Sequence, residues 1–470
     1  MDRREFMKGA ALGVGAGVLG SMGLYSYSPL RRAFLPEVKR GTADIGVCKS
    51  VKVTNISETS WFDNGIFMND VTGAGGLLVD QYTFNWAPFG NGKGVGKGTF
   101  EEGLKRIKHL LPHKIDEAWA IAKENCVHAD NAGVVSFKQG VDYEYADGTI
   151  TAKGTLKEDI EGKKTSVETS MPYITDRQWK GLDVFPGCGT TNTGIPSSEG
   201  DWQIPYTESY QIVQMQISVT YRHTEKWTKS VPAYQGETLS RVVSKLKRKE
   251  KTEILVFGDS ISTGSNSSSI LGIAPNLQPW YELMSKNLAR RYGAEVFLTN
   301  KSMGGWTSAQ GVSDAENEGW VKGQLVKQTG LPKLLATELS DYSPDLAIIG
   351  FGMNDATLNI GLNAYANNIK KMIDCIRARN ADCDIILLGT MLANPQAKDQ
   401  SKNQKEYSAL NVKIAQLYEH VACVDVGAMH QDILDSGKKY MDITGNNVNH
   451  PNDFMARVYA MNLLSALVES

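Results

Sequence analysis

From residue 253 onward the chain alternates short unbroken apolar runs with longer stretches whose apolar residues recur every three or four positions. The runs are Ile254-Leu255-Val256-Phe257, Val296-Phe297-Leu298, Leu346-Ala347-Ile348-Ile349, Ile385-Ile386-Leu387-Leu388 and Ala422-Cys423-Val424. Such runs fit strands buried on both faces, as in a parallel sheet. Residues 279–291, 361–379 and 402–419 carry helical spacing, and a last helix is predicted over about 452–468. Strands alternating with helices predict an α/β fold over residues 250–470, a doubly wound parallel five-stranded sheet of flavodoxin-like type. Its site belongs in the loops at the carboxyl ends of the strands. The informative residues are therefore those that directly follow the apolar runs.

The chain ahead of this region has another texture. Residues 45–240 contain short alternating runs broken by Gly, Asn and Asp. Asp142 to Thr151 predicts a hairpin with its turn at Asp147-Gly148. Tyr210 to Tyr221 alternates apolar and polar residues and predicts a long strand, while residues 100–125 predict one helix. The expectation is a mostly β, sandwich-like accessory domain. Lys245 to Lys251 is a run of charges. The chain as a whole carries no excess of basic residues, so this run is expected to be a solvated connector and not a nucleic-acid patch.

The N-terminus is an address. Paired Arg3-Arg4, then Glu5, Phe6, Met7 and Lys8, precede an uncharged Gly- and Ala-rich stretch from Gly9 to Leu30, and Arg31-Arg32 close it. This resembles a twin-arginine (Tat) export signal, although Asp2 stands where that pattern usually has Ser or Thr. The resemblance implies a signal over residues 1–32, the Tat translocon as a partner, and a periplasmic or extracellular destination. No Ala-x-Ala cleavage site is visible, so an uncleaved N-terminal anchor is the alternative reading, and no other membrane contact is expected.

Composition narrows the function. The 470 residues carry 50 Lys plus Arg against 52 Asp plus Glu, a net charge of −2. That balance supplies no field for nucleic acid or an anionic membrane surface. The six cysteines show no CxxC pair and the seven histidines no HExxH motif, so neither a metal nor any other cofactor is expected.

The loops after the strands carry the chemistry. Gly258-Asp259-Ser260-Ile261-Ser262 follows the first run, Asn300-Lys301-Ser302-Met303-Gly304-Gly305 the second, and Gly350-Phe351-Gly352-Met353-Asn354-Asp355 the third. Asn447-Val448-Asn449-His450-Pro451 precedes the last helix. A serine is a weak nucleophile until a base takes its proton, and His450 is the one histidine so placed. The oxyanion of a tetrahedral intermediate needs donors already in position, and the Ser260 N–H, a glycine N–H and the Asn354 amide are candidates.

This set of blocks resembles the SGNH (GDSL-type) hydrolase superfamily, over about residues 250–470. The resemblance implies Ser260 as nucleophile, Gly305 (five residues after Asn300) and Asn354 in the oxyanion hole, and His450 as base. It also implies a carboxylate three residues before the histidine, where this chain has Asn447. Three readings stay open. Asn447 orients His450 in a Ser-His dyad; another carboxylate such as Asp442 or Asp453 takes the role; or the site is inactive.

The expected function is an exported serine esterase acting on short acyl esters, O-acetyl above all, carried by carbohydrate. Six of nine tryptophans (Trp61, Trp86, Trp119, Trp179, Trp202 and Trp227) lie ahead of residue 240 and can stack on sugar rings, although core filling explains them equally. A lipase, lysophospholipase or thioesterase is the rival within enzymes. A non-catalytic carbohydrate-binding protein is the rival outside them.

Overall fold

In the computed structural model the described residues are 232–469, apart from 273–276, 399, 401–402, 436–439 and 441–442. Tyr206, Glu208 and eleven short strand segments between residues 39 and 221 complete the description. The Tat-like segment, Cys48, Cys126, Cys188 and Asp442 lie outside the described residues.

The α/β unit begins with helix α1 (Ser240–Lys247) and strand β1 (Thr252–Gly258). The one-turn helices α2 (Ser260–Thr263) and α3 (Ser268–Leu271) and helix α4 (Trp280–Tyr292) follow, then β2 (Val296–Asn300) and the one-turn helix α5 (Ser308–Gly311). A hairpin of β3 (Asn317–Val321) and β4 (Gln324–Gln328) precedes α6 (Leu331–Ala336). Next come β5 (Leu346–Gly350), α7 (Met353–Thr357), α8 (Leu362–Arg379), β6 (Asp384–Gly389) and α9 (Gln404–Ala415). Strand β7 (Val421–Asp425), α10 (Val426–Asp435) and α11 (Asp453–Leu467) close the chain.

The sheet has five parallel strands in the order β2-β1-β5-β6-β7. Both of its faces are covered, which is why its inner strands read as continuous apolar runs. Period-two alternation assigns each residue to a face. Ile254 and Val256 of β1, with Leu346 and Ile348 of β5, pack under α1, α4 and α11. Leu255, Phe257, Ala347 and Ile349 pack under α6, α8 and α9. Edge strand β2 is partly exposed, with Phe297 at the surface under the Lys251 ammonium.

In the segment expected as a solvated connector Lys247 to Lys251 are exposed, but Leu246 is buried and belongs to a helix that reaches the core. In α1 and the turn before it Leu239, Val242, Val243 and Leu246 are buried, an i, i+3, i+4, i+7 stripe that the charges from Lys245 onward mask in the sequence. The Val242 N–H donates to Asp384 at 2.8 Å and Lys245 pairs with Asp345 at 2.8 Å, pinning α1 across the amino ends of β5 and β6.

Ahead of residue 232, the described segments are strands. Tyr143–Ala146 and Thr149–Ala152 pair antiparallel, as the expected hairpin requires, and Asp147-Gly148 lies outside the described residues. Gln216–Tyr221 is the carboxyl part of the expected long strand, paired with Leu78–Thr83 and Glu117–Ala120 in a five-stranded sheet. Glu117–Ala120 is thus a strand inside the stretch expected to be helical. Cross-strand pairing in the sheet overrides a weak local helical pattern.

Candidate active site

The nucleophile candidate stands where β1 ends. A Cβ on Gly258 would meet the Gly350 carbonyl oxygen at 2.2 Å, so β1 and β5 approach here only because residue 258 is glycine. Asp259 caps α2, its carboxylate accepting from the Ile261 N–H at 3.0 Å. Ser260 is the first helical residue, a position whose N–H has no partner within a helix, and no acceptor for it occurs among the described residues. Burial is the main cause that pushes the Asp259 carboxyl up to about 7; Asp355 adds to the rise, and the Ile261 N–H and His450 oppose it.

Around the end of β2 the chain is tied to the same point. Asn300 Nδ2 donates to the Ser262 carbonyl at 2.8 Å, and the Met303 N–H donates to the Gly258 carbonyl at 2.9 Å. Gly304 exchanges two backbone hydrogen bonds with Trp320 of β3, at 2.8 and 3.1 Å, which consume its N–H. Gly305 has φ +85°, the left-handed region in which a side chain is strained. Its N–H meets no carbonyl among the described residues, and a Cβ built on it would face open space. Gly305 thus presents a free donor and Gly304 does not.

Asn354 is set by the same loop. Its Nδ2 donates to the Trp306 carbonyl at 2.9 Å, leaving the second amide hydrogen for another acceptor. Trp306 is buried edge-on against Phe257, and its indole N–H donates to the Glu318 carbonyl at 2.8 Å. Asp355 accepts from the Ser308 N–H at 3.0 Å and the Ser308 hydroxyl at 2.6 Å, joining α7 to the start of α5. Desolvation raises the Asp355 carboxyl to about 6 against these hydrogen bonds.

His450 completes the constellation. Its Nε2 lies 2.7 Å from Ser260 Oγ, hydrogen-bonding distance for a base and its nucleophile. Ser260 and His450 are 6% and 7% exposed, so the pair is almost wholly withdrawn from solvent. The loop that carries His450 is organised by Asn446. Its Oδ1 accepts the Val448, Asn449 and His450 N–H groups, each at 3.0 Å. Thr444 Oγ1 donates to the His450 carbonyl at 2.8 Å.

The imidazole Nδ1 faces two residues that the sequence motifs did not mark. Asn266 Oδ1 lies at 2.7 Å and Glu208 Oε2 at 2.8 Å. The other Glu208 oxygen accepts from the Tyr206 hydroxyl at 2.5 Å and from Asn446 Nδ2 at 3.0 Å. Burial works to raise the Glu208 carboxyl, but the His450 charge and the bonds from His450, Tyr206 and Asn446 outweigh it and hold it below the usual carboxylate range. Asn447 occupies a different place. Its backbone is left-handed at φ +65°, and its carbonyl and Oδ1 accept from Asn394 Nδ2 at 2.7 and 3.3 Å. Asp453 Oδ1 accepts from the Ser268 N–H at 2.8 Å, tying α11 to α3. The structure therefore gathers Ser260, Gly305, Asn354 and His450 at one edge of the sheet, with Asn447 turned toward Asn394.

The parallel five-stranded sheet with these four loops at its carboxyl edge matches the fold of SGNH-type hydrolases. Residues 256–458 match the model of the GDSL-like Lipase/Acylhydrolase family. No curated protein matches the chain. Among solved structures it is similar to a two-domain esterase active on acetylated mannans, co-crystallised with mannopentaose (18% identity, 49% of this chain and 53% of that one, TM-score 0.36). The similar region thus spans about half of that protein. A lipase/acylhydrolase from Enterococcus faecalis is 19% identical (46% of this chain, 95% of that one, TM-score 0.32). An acetylxylan esterase from Geobacillus stearothermophilus is 16% identical (47% and 95%, TM-score 0.35).

Proposed function

We propose that the protein is an exported serine esterase that removes short acyl groups, acetyl above all, from carbohydrate. The observation that carries the catalytic reading is the 2.7 Å contact between Ser260 Oγ and His450 Nε2 beside two unengaged backbone donors. Ser260 Oγ attacks the ester carbonyl carbon while its proton passes to His450 Nε2. The carbonyl oxygen becomes an oxyanion, met by the Ser260 and Gly305 N–H groups and the free hydrogen of the Asn354 amide. Collapse breaks the ester C–O bond, His450 returns the proton to the departing alcohol, and an acyl-Ser260 remains. Water, deprotonated by His450, repeats the addition and elimination and releases the acid.

Burial around the nucleophile limits the size of the acyl group. Ser260 and His450 are nearly inaccessible, and Trp320 backs Gly304 next to Ser260. A small acyl group fits there more readily than a long chain. Carbohydrate as the alcohol, and export by the Tat route, rest on the tryptophan-rich N-terminal half and on Arg3-Arg4 with the Gly-rich run after them. A series of p-nitrophenyl esters of rising chain length tests the acyl preference: kcat/KM is expected to be highest for acetate and to fall steadily. A maximum at eight carbons or longer would replace this reading with a lipase.

A further inference from the structure

We infer that Glu208, supplied by the chain ahead of the α/β unit, is the positioning carboxylate for His450, so that the active site is complete only with that segment seated on the His450 loop. The inference rests on the acyl-transfer reading above and adds to it the origin of the charge that steadies the base.

The position three residues before the histidine holds Asn447, and an amide there brings no charge. Asn266 Oδ1, at 2.7 Å from His450 Nδ1, accepts the N–H and so fixes the tautomer that leaves Nε2 free to receive the Ser260 proton. It does nothing for the positive charge that the ring acquires when that proton arrives. Glu208 Oε2, 2.8 Å from the same nitrogen, supplies the opposing charge.

The carboxylate is held on both sides. Tyr206 packs against Ala397 and Val448 and donates its hydroxyl to Glu208 Oε1. Asn446 donates its amide to that same oxygen while its own oxygen gathers the backbone of the His450 loop. One side chain therefore locks both the carboxylate and the imidazole into a common frame. Glu208 is 20% exposed, so its charge is only partly screened. The other ionisable groups at this point are Tyr206 beside Glu208 and Asp259 behind Ser260. Burial keeps Tyr206 neutral and leaves Asp259, raised to about 7, only partly ionised at neutral pH, so among these groups Glu208 supplies the larger negative charge facing the ring. The net lowering of the Glu208 carboxyl, to which the His450 charge contributes, is the reciprocal of that support.

The test uses the full-length protein with p-nitrophenyl acetate. It compares wild type, Glu208→Gln, Glu208→Asp and Tyr206→Phe, with proton NMR of the His450 Nδ1–H alongside. Loss of a triad carboxylate has cost about 10⁴-fold in kcat where the tautomer was also lost. Because Asn266 keeps the tautomer here, Glu208→Gln is expected to cost about 10²-fold, on the scale of general-base assistance. KM should stay nearly constant. The acid limb of kcat/KM should move to lower pH, because the protonated ring has lost its counter-charge. The far-downfield Nδ1–H signal expected of a proton shared with a carboxylate should shift upfield. Glu208→Asp should recover part of both readouts, and Tyr206→Phe should show a smaller loss of the same kind.

Wild-type kcat, an unmoved acid limb and an unmoved Nδ1–H signal in Glu208→Gln would overturn the inference. If Glu208→Gln does not fold, Tyr206→Phe decides: a lowered kcat with a shifted Nδ1–H signal upholds the pairing, and wild-type values in both overturn it. A wild-type protein without turnover, whose Nδ1–H signal still shifts in Glu208→Gln, would sink the esterase reading and uphold the pairing.

Discussion

The two sides of the active site are built in different ways. On the oxyanion side, Ser260, Gly305 and Asn354 follow strand ends of one sheet, and the contacts that fix them are local or run between loops at the same sheet edge. Asp259 caps its own helix, Met303 bonds Gly258, and Asn354 bonds the residue after Gly305. On the base side, His450 sits in a loop outside the sheet. Side chains at positions 208, 266 and 446 hold it, the first of them 238 residues from Asn446. A strand end dictates where its next residue goes, whereas a loop of this kind is placed only by whatever polar groups converge on it. The oxyanion side should therefore tolerate changes in its surroundings, and the base side should fail when any one of its distant partners is removed.

The largest effect tests the oxyanion side itself. Removing one oxyanion donor typically costs about 10²–10³ in kcat, and Asn354→Ala is expected to fall in that range with KM changing less. Steady-state kinetics on p-nitrophenyl acetate decide it, and a pure KM effect would make Asn354 a substrate-binding residue instead.

The base side is sharpened by two adjacent asparagines. Asn446 is fully buried and accepts three backbone N–H groups. A buried donor left without a partner costs about 1–3 kcal/mol, so Asn446→Ala should lower stability by at least that much and reduce kcat as the His450 loop loosens. Asn447→Ala mainly strains a left-handed backbone, a cost of about 1–2 kcal/mol, and should leave kcat close to wild type. Thermal melts and kcat measured on both variants make the comparison. A larger kcat loss in Asn447→Ala than in Asn446→Ala would return the orienting role to Asn447.

The smallest effect concerns Asp259 beneath the nucleophile. Its folded value of about 7 lies above the unfolded carboxylate value of about 3.9. Between those values the folded protein keeps a proton that the unfolded chain has released, so this group's contribution to stability falls as pH rises from about 4 to about 7. Asn can keep the cap to Ile261 without ionising. Asp259→Asn should therefore melt higher than wild type at pH 8, with the gap closing toward pH 4. An equal gap at both pH values would remove the buried carboxyl from the account.

The same contrast explains what was legible in the sequence. All five strands of the sheet were readable, the inner ones because burial on both faces leaves no polar residue to interrupt them; Ser260 and Asn354 were readable from their places after those strands, while Gly305 was singled out only by the family resemblance. Helix α1 was missed although Leu239, Val242, Val243 and Leu246 carry the helical stripe, because the lysines after them dominate the local composition. Glu208, Asn266 and Asn446 left no such trace. A lone glutamate in a polar segment carries no mark of the imidazole it will meet, and an asparagine hub is indistinguishable from a turn residue until the loop around it is folded. The substitution at Asn447 was the one available signal: a missing carboxylate implies that the charge, if present, comes from elsewhere.

In the proposed mechanism Ser260 is a nucleophile activated by His450. Fluorophosphonate labelling of the full-length protein, with the tagged residue mapped by peptide mass, tests it most directly. The account predicts a single tag on Ser260, absent in Ser260→Ala and strongly slowed in His450→Ala. A tag on another residue, or no tag on a folded wild-type protein, would contradict it.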